Sequence, residues 1–197
     1  AATPARDALP RIVKRDGEKW VGTLAGLRAV KNLPRLVRAF SGLAEDWHLV
    51  ILGEGPEREA IRDEALRLDI AHRVHLPGFV GDPARALGLF DIFALSSESE
   101  QFPISVVEAM AAGLPVAAPD VGDVRAMIAR ENAELVTPPG DEAALAASLA
   151  RLAADAALRS ALGSANRERA VREYDSKAMI AAYAGVYARA MRLSRFP

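Results

Sequence analysis

The chain has 197 residues, of which 51% are hydrophobic and 26% are charged; this composition excludes an intrinsically disordered protein, and the length suits one domain with an appendage. Its 25 lysines and arginines nearly cancel its 26 aspartates and glutamates, which argues against a dedicated nucleic-acid-binding protein. The sequence contains no cysteine, so disulfides and thiolate metal sites are excluded.

Residues 1–18 are mixed polar residues with Pro4, Pro10 and Gly17, and we predict a linker with little structure of its own. The start lacks the basic and apolar regions of a signal peptide, and no apolar stretch reaches the length of a membrane span. Together with the absence of cysteine, this favours a cytoplasmic location. The chain does not begin with Met, as expected of a piece excised from a longer protein.

Six short apolar runs of strand length alternate with stretches of helical spacing. Strands are predicted at residues 20–24, 48–52, 74–76, 92–95, 115–118 and 134–136. Short buried strands that alternate with helices indicate a parallel sheet that is covered on both faces. We therefore predict an α/β fold, with a doubly wound, Rossmann-like parallel sheet of about six strands.

Apolar stripes at helical spacing predict the helices between the strands. The stripes consist of Leu33, Leu36, Val37 and Phe40, then Ile61, Ala65 and Leu68, then Val106, Val107, Met110 and Ala111. Gly113 is placed to end the third helix, and Asp141 to cap a later one. Helices at 143–154, 157–173 and 176–192 follow the last strand, so we expect a C-terminal helical extension.

Ligands of a doubly wound sheet bind beyond the carboxyl ends of its strands, so the loops that follow the strands form the candidate site. The first such loop, residues 22–31, brings Gly22, Gly26, Arg28 and Lys31 to the start of a helix. Glycines, cations and a helix N-terminus together favour a phosphate group. A flexible turn with solvated charges is the alternative.

The second and third loops carry weaker signals. Gly53-Glu54-Gly55-Pro56 lacks the third glycine of a dinucleotide fingerprint, because Arg58 stands there. We predict a tight strand-to-helix turn instead, with Pro56 in the first helical turn. In the third loop, residues 78–83, two glycines flank an apolar pair and allow a base or ring to lie against the backbone.

The loop after the fourth strand is the most informative. It carries Glu98 and Glu100, and a helix is predicted to begin near Pro103, which leaves the amides of Phe102, Ile104 and Ser105 without helical acceptors.

Glu108 lies about one turn inside that helix, among apolar residues. A carboxylate can accept two hydrogen bonds, which suits a vicinal diol such as that of a ribose. The alternatives are an ordinary surface glutamate, or one whose charge stabilises the start of the helix.

Two groups of basic residues remain. His72 and His75 lie three residues apart near a strand and His48 stands alone, so no zinc site is predicted. Lys31, Arg35 and Arg38 fall on one helix face, for which a solvated face is the expectation and a peripheral contact with a membrane surface is the alternative.

The pattern from residue 20 to 192 resembles the C-terminal, donor-binding half of retaining GT-B glycosyltransferases of family four, the glycosyl transferases group 1. Its most specific part is Glu100 followed by Glu108 and then Ala-Met-Ala-Ala-Gly-Leu-Pro-Val. Lys31-Asn32-Leu33, Gly53-x-Gly55-Pro56 and Gly78-Phe79-Val80 follow the family's order.

The resemblance implies a role for each matched residue. Glu108 would hold the ribose hydroxyls, Lys31 would neutralise the diphosphate, and Glu100 with the backbone of residues 101–104 would contact the donor sugar. Glu100 and Lys31 are thus the predicted catalytic residues. The other predicted binding residues are Gly22, Arg28, Phe102, Pro103 and Ile104, with Val80, Asp82 and Arg85 next to the base.

The resemblance also implies the reaction and the organisation. Family members transfer a sugar from a nucleotide-diphosphate sugar with retention of configuration, as in polysaccharide or glycolipid biosynthesis. They usually need no metal, and we expect no cofactor. Residues 1–18 would be the linker from an absent N-terminal acceptor domain of the same protein, 19–175 the nucleotide-sugar-binding domain and 176–197 a helix that crosses back toward that domain. The chain alone would bind a UDP- or GDP-sugar without efficient transfer.

Two departures from the family pattern stand out. The family commonly has an arginine five residues before the diphosphate lysine, where this chain has Gly26; either Arg28 reaches the same phosphates or one cation is missing. The family also tends to carry Gly-Gly and a glutamate where this chain has Gly122-Asp123, which puts sugar contacts from that loop in question.

Two other functions remain open at this point. One is a non-catalytic nucleotide-sugar-binding module, and the other is a GT-B-like sugar-nucleotide epimerase, whose further catalytic carboxylates and histidine are not recognisable in the sequence. Binding of UDP- and GDP-sugars, followed by a turnover assay, distinguishes these functions.

Overall fold

The computed structural model of the chain describes Leu9 and residues 12–193. Within this part, six parallel strands form one sheet in the order β3-β2-β1-β4-β5-β6. The strands are β1 (Lys19–Leu24), β2 (Trp47–Leu52), β3 (Val74–Gly78), β4 (Ile92–Ala94), β5 (Val116–Pro119) and β6 (Val136–Thr137). The order reverses between β1 and β4, which is the switch point where ligands of such sheets bind.

Helices cover both faces of the sheet, as the alternating pattern predicts. They are α1 (Leu33–Phe40), α2 (Arg58–Arg67), α3 (Pro83–Leu87), α4 (Ile104–Ala111), α5 (Val124–Met127), α6 (Glu142–Ala154), α7 (Ala156–Glu173) and α8 (Ser176–Ala190). One buried apolar cluster joins α1, α2 and α6 to the sheet, and the other joins α3, α4 and α5 to the opposite face. The predicted doubly wound fold with a C-terminal helical extension is confirmed.

The first five predicted strands agree with the observed strands to within two residues, whereas the sixth is wrong in part. Residues 134–135 belong to a 3-10 segment, Arg130–Leu135, and β6 begins only at Val136. The reason is Asn132, whose side-chain amide accepts from the backbone N–H of Val116 at 2.9 Å and donates to its carbonyl at 2.7 Å. A buried side chain thus takes the place of a neighbouring strand.

The predicted turn at Pro56 also differs, because α2 begins two residues later, at Arg58. The intervening loop instead bonds to the loop after β1: Leu27 N–H donates to Glu54, and Glu57 N–H donates to Leu27, both at 3.0 Å. Gly53 adopts a φ of 135°, and a side chain there would collide with the carbonyl oxygen of Ala25. Gly53 therefore allows the loops after β1 and β2 to pack closely.

The predicted helix ends are confirmed. Gly113 has a φ of 81°, and its N–H donates to Met110 while that of Leu114 donates to Ala109, the pair of bonds of a Schellman motif. The Asp141 carboxylate accepts from Ala144 N–H at 2.8 Å and caps α6. The helix that carries Glu108 and the first C-terminal helix therefore have well-defined ends.

Only part of the predicted linker falls within the described residues; Pro4 and Pro10 lie outside them. Residues 12–15 have no regular secondary structure, but Lys14 donates to the Leu89 carbonyl and to Asp91, both at 2.7 Å. None of the helices in the described part of the chain is long and apolar enough to span a bilayer.

Candidate functional site

The loops that follow β1 and β4 lie side by side, because these two strands pair in the sheet with Gly22 opposite Phe93. Two hydrogen bonds join the loops. The N–H of Glu98 donates to the Val30 carbonyl at 2.8 Å, and the Ser96 hydroxyl donates to the Lys31 carbonyl at 2.8 Å. Loops that are about 65 residues apart in sequence thus form one rim at the switch point, where ligands of such sheets bind.

The two predicted catalytic residues meet on this rim. The Lys31 Nζ lies 2.6 Å from Glu100 Oε1, and the two side chains are 25% and 9% exposed. The Ser97 hydroxyl donates to the same carboxylate oxygen at 2.6 Å. A diphosphate that approached this rim would compete with Glu100 for the Lys31 ammonium group.

Asn32 links the start of α1 to the same rim. Its backbone adopts the left-handed conformation, with a φ of 40°. Its Oδ1 accepts from Arg35 N–H at 3.3 Å and so caps the helix. Its Nδ2 donates to Glu98 Oε1 at 2.8 Å. The sequence motif Lys31-Asn32 therefore contributes both of its polar side chains to the loop after β4.

The prediction that Lys31, Arg35 and Arg38 form a solvated basic face is wrong in part. Lys31 is paired with Glu100, Arg35 is buried at 6% exposure, and Arg38 pairs with Glu64 at 3.1 Å and Glu142 at 2.8 Å. Helical spacing identifies residues on one side of a helix, but it does not show which elements pack against that side.

Glu108 lies in the middle of α4 and is partly buried. Within the part of the chain that the structure describes, its carboxylate has neither a hydrogen-bond nor an ion-pair partner, and burial raises its pKa above the ordinary value. The helix that carries it, α4, follows β4 along the chain and packs against α3. A partly buried acceptor without a partner is suited to bind hydroxyl groups.

The start of α4 supplies further free donors. Pro103 occupies the N-cap position, and among the described residues no acceptor is found for the amides of Phe102, Ile104 and Ser105. Ile104 is exposed, while the half-exposed Phe102 ring meets the edge of Tyr174 with centroids 5.8 Å apart. The predicted group of free amides next to Glu100 is present.

The loop after β5 supports the backbone that carries Glu100. Gly122 has a φ of 55°, and a side chain there would collide with the carbonyl oxygens of Glu100 and Gln101. The N–H of Asp123 donates to the Gln101 carbonyl at 2.8 Å. In this chain the Gly122-Asp123 stretch therefore touches the Glu100 loop directly.

A cavity of about 410 Å³ opens at the carboxyl ends of β1, β2 and β3. It is lined by Leu24, Ala25, Gly26, Leu52, Gly53, Glu54, Phe79, Val80 and Pro83. Val80 is partly buried against the core. Asp82, which directly precedes α3, and Arg85, which lies in α3, are both exposed. Such a mostly apolar cavity fits a planar ring better than a charged group.

Two of the predicted binding residues differ in their setting. Gly22 lies in the middle of β1, where a side chain would overlap the Phe90 ring, so packing inside the fold accounts for this glycine. Arg28 is exposed and has no partner among the described residues. Its Nε lies 3.8 Å from where a Cβ of residue 26 would be, next to the position of the family's missing arginine.

The three histidines lie near the amino ends of β2 and β3, away from the rim. His48 Nδ1 and His75 Nε2 are 2.9 Å apart, burial lowers the pKa of both rings, and His72 contacts Glu45. Among the described residues, no three or more His, Asp or Glu side chains are grouped so that they could hold a metal ion.

Arg35 and Ser97 are the rim residues that the sequence analysis missed. Arg35 donates through Nη2 to the Ser96 carbonyl and, at 3.2 Å, to the Ser97 carbonyl. No spacing rule finds such a contact, because the acceptors are backbone groups 61 and 62 residues away.

Comparison with known proteins gives a consistent result. The family model "Glycosyl transferases group 1" matches residues 6–169. The N-acetyl-alpha-D-glucosaminyl L-malate synthase of Bacillus anthracis is 28% identical over 87% of this chain and 46% of its own length. The phosphatidyl-myo-inositol mannosyltransferase of Mycobacterium leprae is 36% identical over 74% of this chain and 39% of its own. The chain thus spans about half the length, or less, of these relatives.

Solved structures share the fold. HepE of Anabaena in complex with UDP superposes with a TM-score of 0.82 at 22% identity, over 88% of this chain and 49% of its own. Sucrose-phosphate synthase of Thermosynechococcus elongatus superposes with a TM-score of 0.82 at 27% identity, over 89% of this chain and 46% of its own. The C-terminal domain of a Francisella tularensis group 1 protein gives 0.73 at 19% identity, and 96% of that shorter chain is covered.

Proposed function

The chain belongs to the group 1 glycosyltransferase family, and we propose that it is the donor-binding half of a retaining enzyme that transfers a sugar from a UDP- or GDP-sugar to an acceptor. The observation that carries this proposal is the rim where β1 and β4 end. There Lys31 pairs with Glu100, and the next helix, α4, begins with three amides that have no acceptor among the described residues and carries the unpaired Glu108. The UDP bound to the related HepE structure supports a nucleotide as the ligand.

Each part of the donor has a matching group. Lys31 and Arg28 bind the diphosphate beside the start of α1, where the helix dipole also favours an anion. The unpaired Glu108 carboxylate accepts from the ribose hydroxyls, and the base lies against Val80 in the apolar cavity, near Asp82 and Arg85. Glu100, once Lys31 turns to the phosphates, accepts from the sugar hydroxyls beside the amides of residues 102–105.

This arrangement supports the chemistry of the leaving group. Breaking the bond between the sugar and the diphosphate builds negative charge on the phosphate oxygens, and fixed cations stabilise that charge. We propose that Lys31 and Arg28 supply the stabilisation that a metal ion supplies elsewhere. Donor binding would then need no divalent cation.

We further propose that efficient transfer requires an N-terminal acceptor half, with residues 19–175 as the nucleotide-sugar domain and the last helix as the element that crosses to the other half. Two observations support this organisation. The relatives are about twice as long as the chain, and α8 exposes a row of apolar side chains that includes Met179, Ile180 and Tyr183.

Isothermal titration calorimetry with UDP, GDP and UDP-glucose tests the binding proposal. We expect one nucleoside diphosphate to bind, with an affinity that is unchanged by EDTA. If neither UDP nor GDP binds to the folded chain, the donor-binding proposal is wrong. A strict need for magnesium or manganese would overturn the metal-free part alone.

A turnover assay then separates the enzyme from its alternatives. With a supplied N-terminal half from a relative, we expect sugar transfer, and nuclear magnetic resonance of the product shows whether the anomeric configuration is retained. Donor binding without any turnover would favour a binding module, and interconversion of one nucleotide sugar into another would favour an epimerase.

A further inference from the structure

Arg35 is a buried cation directly beneath the rim. It belongs to the first turn of α1, and 6% of its surface is exposed. Its Nη2 donates to the carbonyls of Ser96 and Ser97, which follow β4. Among the described residues no carboxylate pairs with it, so backbone carbonyls are the acceptors that compensate its charge.

A buried charge of this kind is a costly way to stabilise a fold. Removing a guanidinium group from water carries a large desolvation penalty, and well-packed apolar residues often stabilise a core as well as or better than a buried ion. Burial alone therefore does not assign a role to this arginine. The explanation lies in what its two acceptors hold in place.

The two serines turn their remaining groups toward the candidate site. The Ser96 hydroxyl donates to the Lys31 carbonyl at 2.8 Å, and the Ser97 hydroxyl donates to Glu100 Oε1 at 2.6 Å. Both serines are buried, with 2% and 1% of their surface exposed. When their carbonyls point at Arg35, their hydroxyls are directed to the two predicted catalytic residues.

We propose that Arg35 is a positioning residue that locks residues 96–100 into the conformation in which Glu100 contacts the sugar of the donor. This inference rests on the proposed donor-binding function. It predicts a specific defect: loss of Arg35 loosens the loop and weakens contacts to the sugar more than contacts to the nucleotide, which other residues hold.

The chain offers a matched control in Arg73. This arginine is also buried, at 3% exposure, and its Nη1 donates to the carbonyls of Leu43, Ala44 and Trp47 at 2.9–3.2 Å. Its acceptors lie at the amino end of the sheet, away from the rim. Arg73 Nε also lies 3.5 Å from the exposed Glu45 carboxylate, and Arg73→Met reports the cost of removing a buried arginine that is away from the rim.

Hydrogen exchange of the 197-residue chain without ligand tests the positioning step by itself. In Arg35→Met we expect the Glu98 amide, which donates to Val30, to exchange at least about tenfold faster, the equivalent of one lost hydrogen bond. Arg73→Met should leave that amide unchanged. Unchanged exchange in folded Arg35→Met, or an equal increase in both variants, would overturn the proposal, whether or not any nucleotide binds.

Calorimetry with UDP and UDP-glucose tests the consequence. We expect Arg35→Met to weaken UDP-glucose about tenfold and UDP much less, Arg35→Lys to recover part of the loss, and Arg73→Met to affect neither ligand. Guanidinium ion at a non-denaturing concentration should restore UDP-glucose binding to Arg35→Ala. Equal losses for both ligands, or no recovery with lysine or guanidinium, would contradict the proposal; failure of the wild-type chain to bind either ligand would refute the proposed function instead.

Discussion

The two ends of the sheet differ in how they satisfy their charged groups. At the amino end, Arg73 donates to three backbone carbonyls, and Asp91 accepts from Trp20 N–H and from Lys14, both at 2.7 Å. At the carboxyl end, Glu108 and Arg28 have no partner in the described part of the chain.

This difference separates groups that stabilise the fold from groups that we propose bind a ligand. Burial of a carboxylate without a partner costs stability, so the partly buried Glu108 destabilises the fold, whereas the exposed Arg28 does not. The five predictions below, in decreasing order of expected effect, break or sharpen this contrast.

The largest effect is expected at Glu108. Glu108→Ala removes hydrogen bonds to a charged acceptor, each worth about 1.5–3 kcal/mol, so the affinity for UDP should fall by roughly 10-fold to more than 100-fold. Calorimetry measures the loss, and thermal unfolding should show no loss of stability. Glu59→Ala, an exposed glutamate on α2, is the control; unchanged affinity in a folded Glu108 variant would exclude its ribose role.

At the amino end of the sheet we expect a loss of stability without a loss of affinity. Arg73→Met leaves buried carbonyls without their donor, so the free energy of unfolding should fall by roughly 3 kcal/mol, as measured by urea denaturation. The affinity for UDP at a temperature where the variant remains folded should not change. A loss of UDP affinity comparable with that of the Glu108 variant would mean that the two ends are not independent.

Removal of the cations on the rim should affect the diphosphate and spare the nucleoside. Lys31→Ala should weaken UDP by about tenfold while binding of uridine is unchanged, and raising the salt concentration should weaken wild-type binding of UDP in the same selective way. Because the Arg28 guanidinium lies next to Gly26, Arg28→Ala should cost about as much.

Arg62→Ala, which removes an exposed cation on α2, is the matched control for both variants. If Arg28→Ala has no effect, the rim uses a single cation, and weak transferase activity follows from poorer stabilisation of the leaving group.

Glu100→Ala should separate the sugar from the nucleotide. The variant loses its contact to the sugar, so UDP-glucose should bind about tenfold more weakly. Bare UDP should bind no more weakly than to the wild type, because Lys31 is released from its 2.6 Å ion pair. Calorimetry with both ligands measures this, and equal losses for UDP and UDP-glucose would contradict the assignment.

The smallest effect is expected from pH. Burial raises the pKa of Glu108, and a protonated carboxyl loses acceptor capacity, so the affinity for UDP should fall as the pH falls through this raised pKa. Because the pKa of Glu108 is higher in the folded than in the unfolded chain, its ionisation at neutral pH destabilises the folded state. At neutral pH Glu108→Gln should therefore unfold at a higher temperature than the wild type. This difference should vanish at pH values below the pKa of Glu108 in the unfolded chain. A pH profile of UDP binding that is identical in Glu108→Gln would show that another group titrates.

Much of the fold could be predicted from local pattern. Apolar runs and helical stripes place β1 to β5 and the helices α1, α2, α4, α6, α7 and α8 within a few residues, because each element must bury one face or stripe. The short helices α3 and α5 are not predicted by this pattern. The sixth strand was predicted too early, since the pattern at residues 134–136 does not reveal that the Asn132 side chain pairs with Val116.

The site could be predicted in part for the same reason. Glu98 and Glu100 lie in the loop that follows β4, and Glu108 lies in the helix that follows this loop. Their place toward the carboxyl edge of the sheet therefore follows from chain order alone. Periodicity groups Arg35 with Lys31 and Arg38 and so predicts a solvated basic face. Packing instead buries Arg35 under the rim.

By itself, the sequence determined the class of fold, the loops that bear the candidate site and the residue types that suit a nucleotide sugar, because these depend on short-range periodicity and on motifs within a few residues. Only the tertiary structure decided that β1 lies beside β4, that Lys31 faces Glu100, and that Arg35 holds the carbonyls of residues 96 and 97. Those contacts join backbone and side chains more than 60 residues apart, and they form only when the sheet order brings the two loops together.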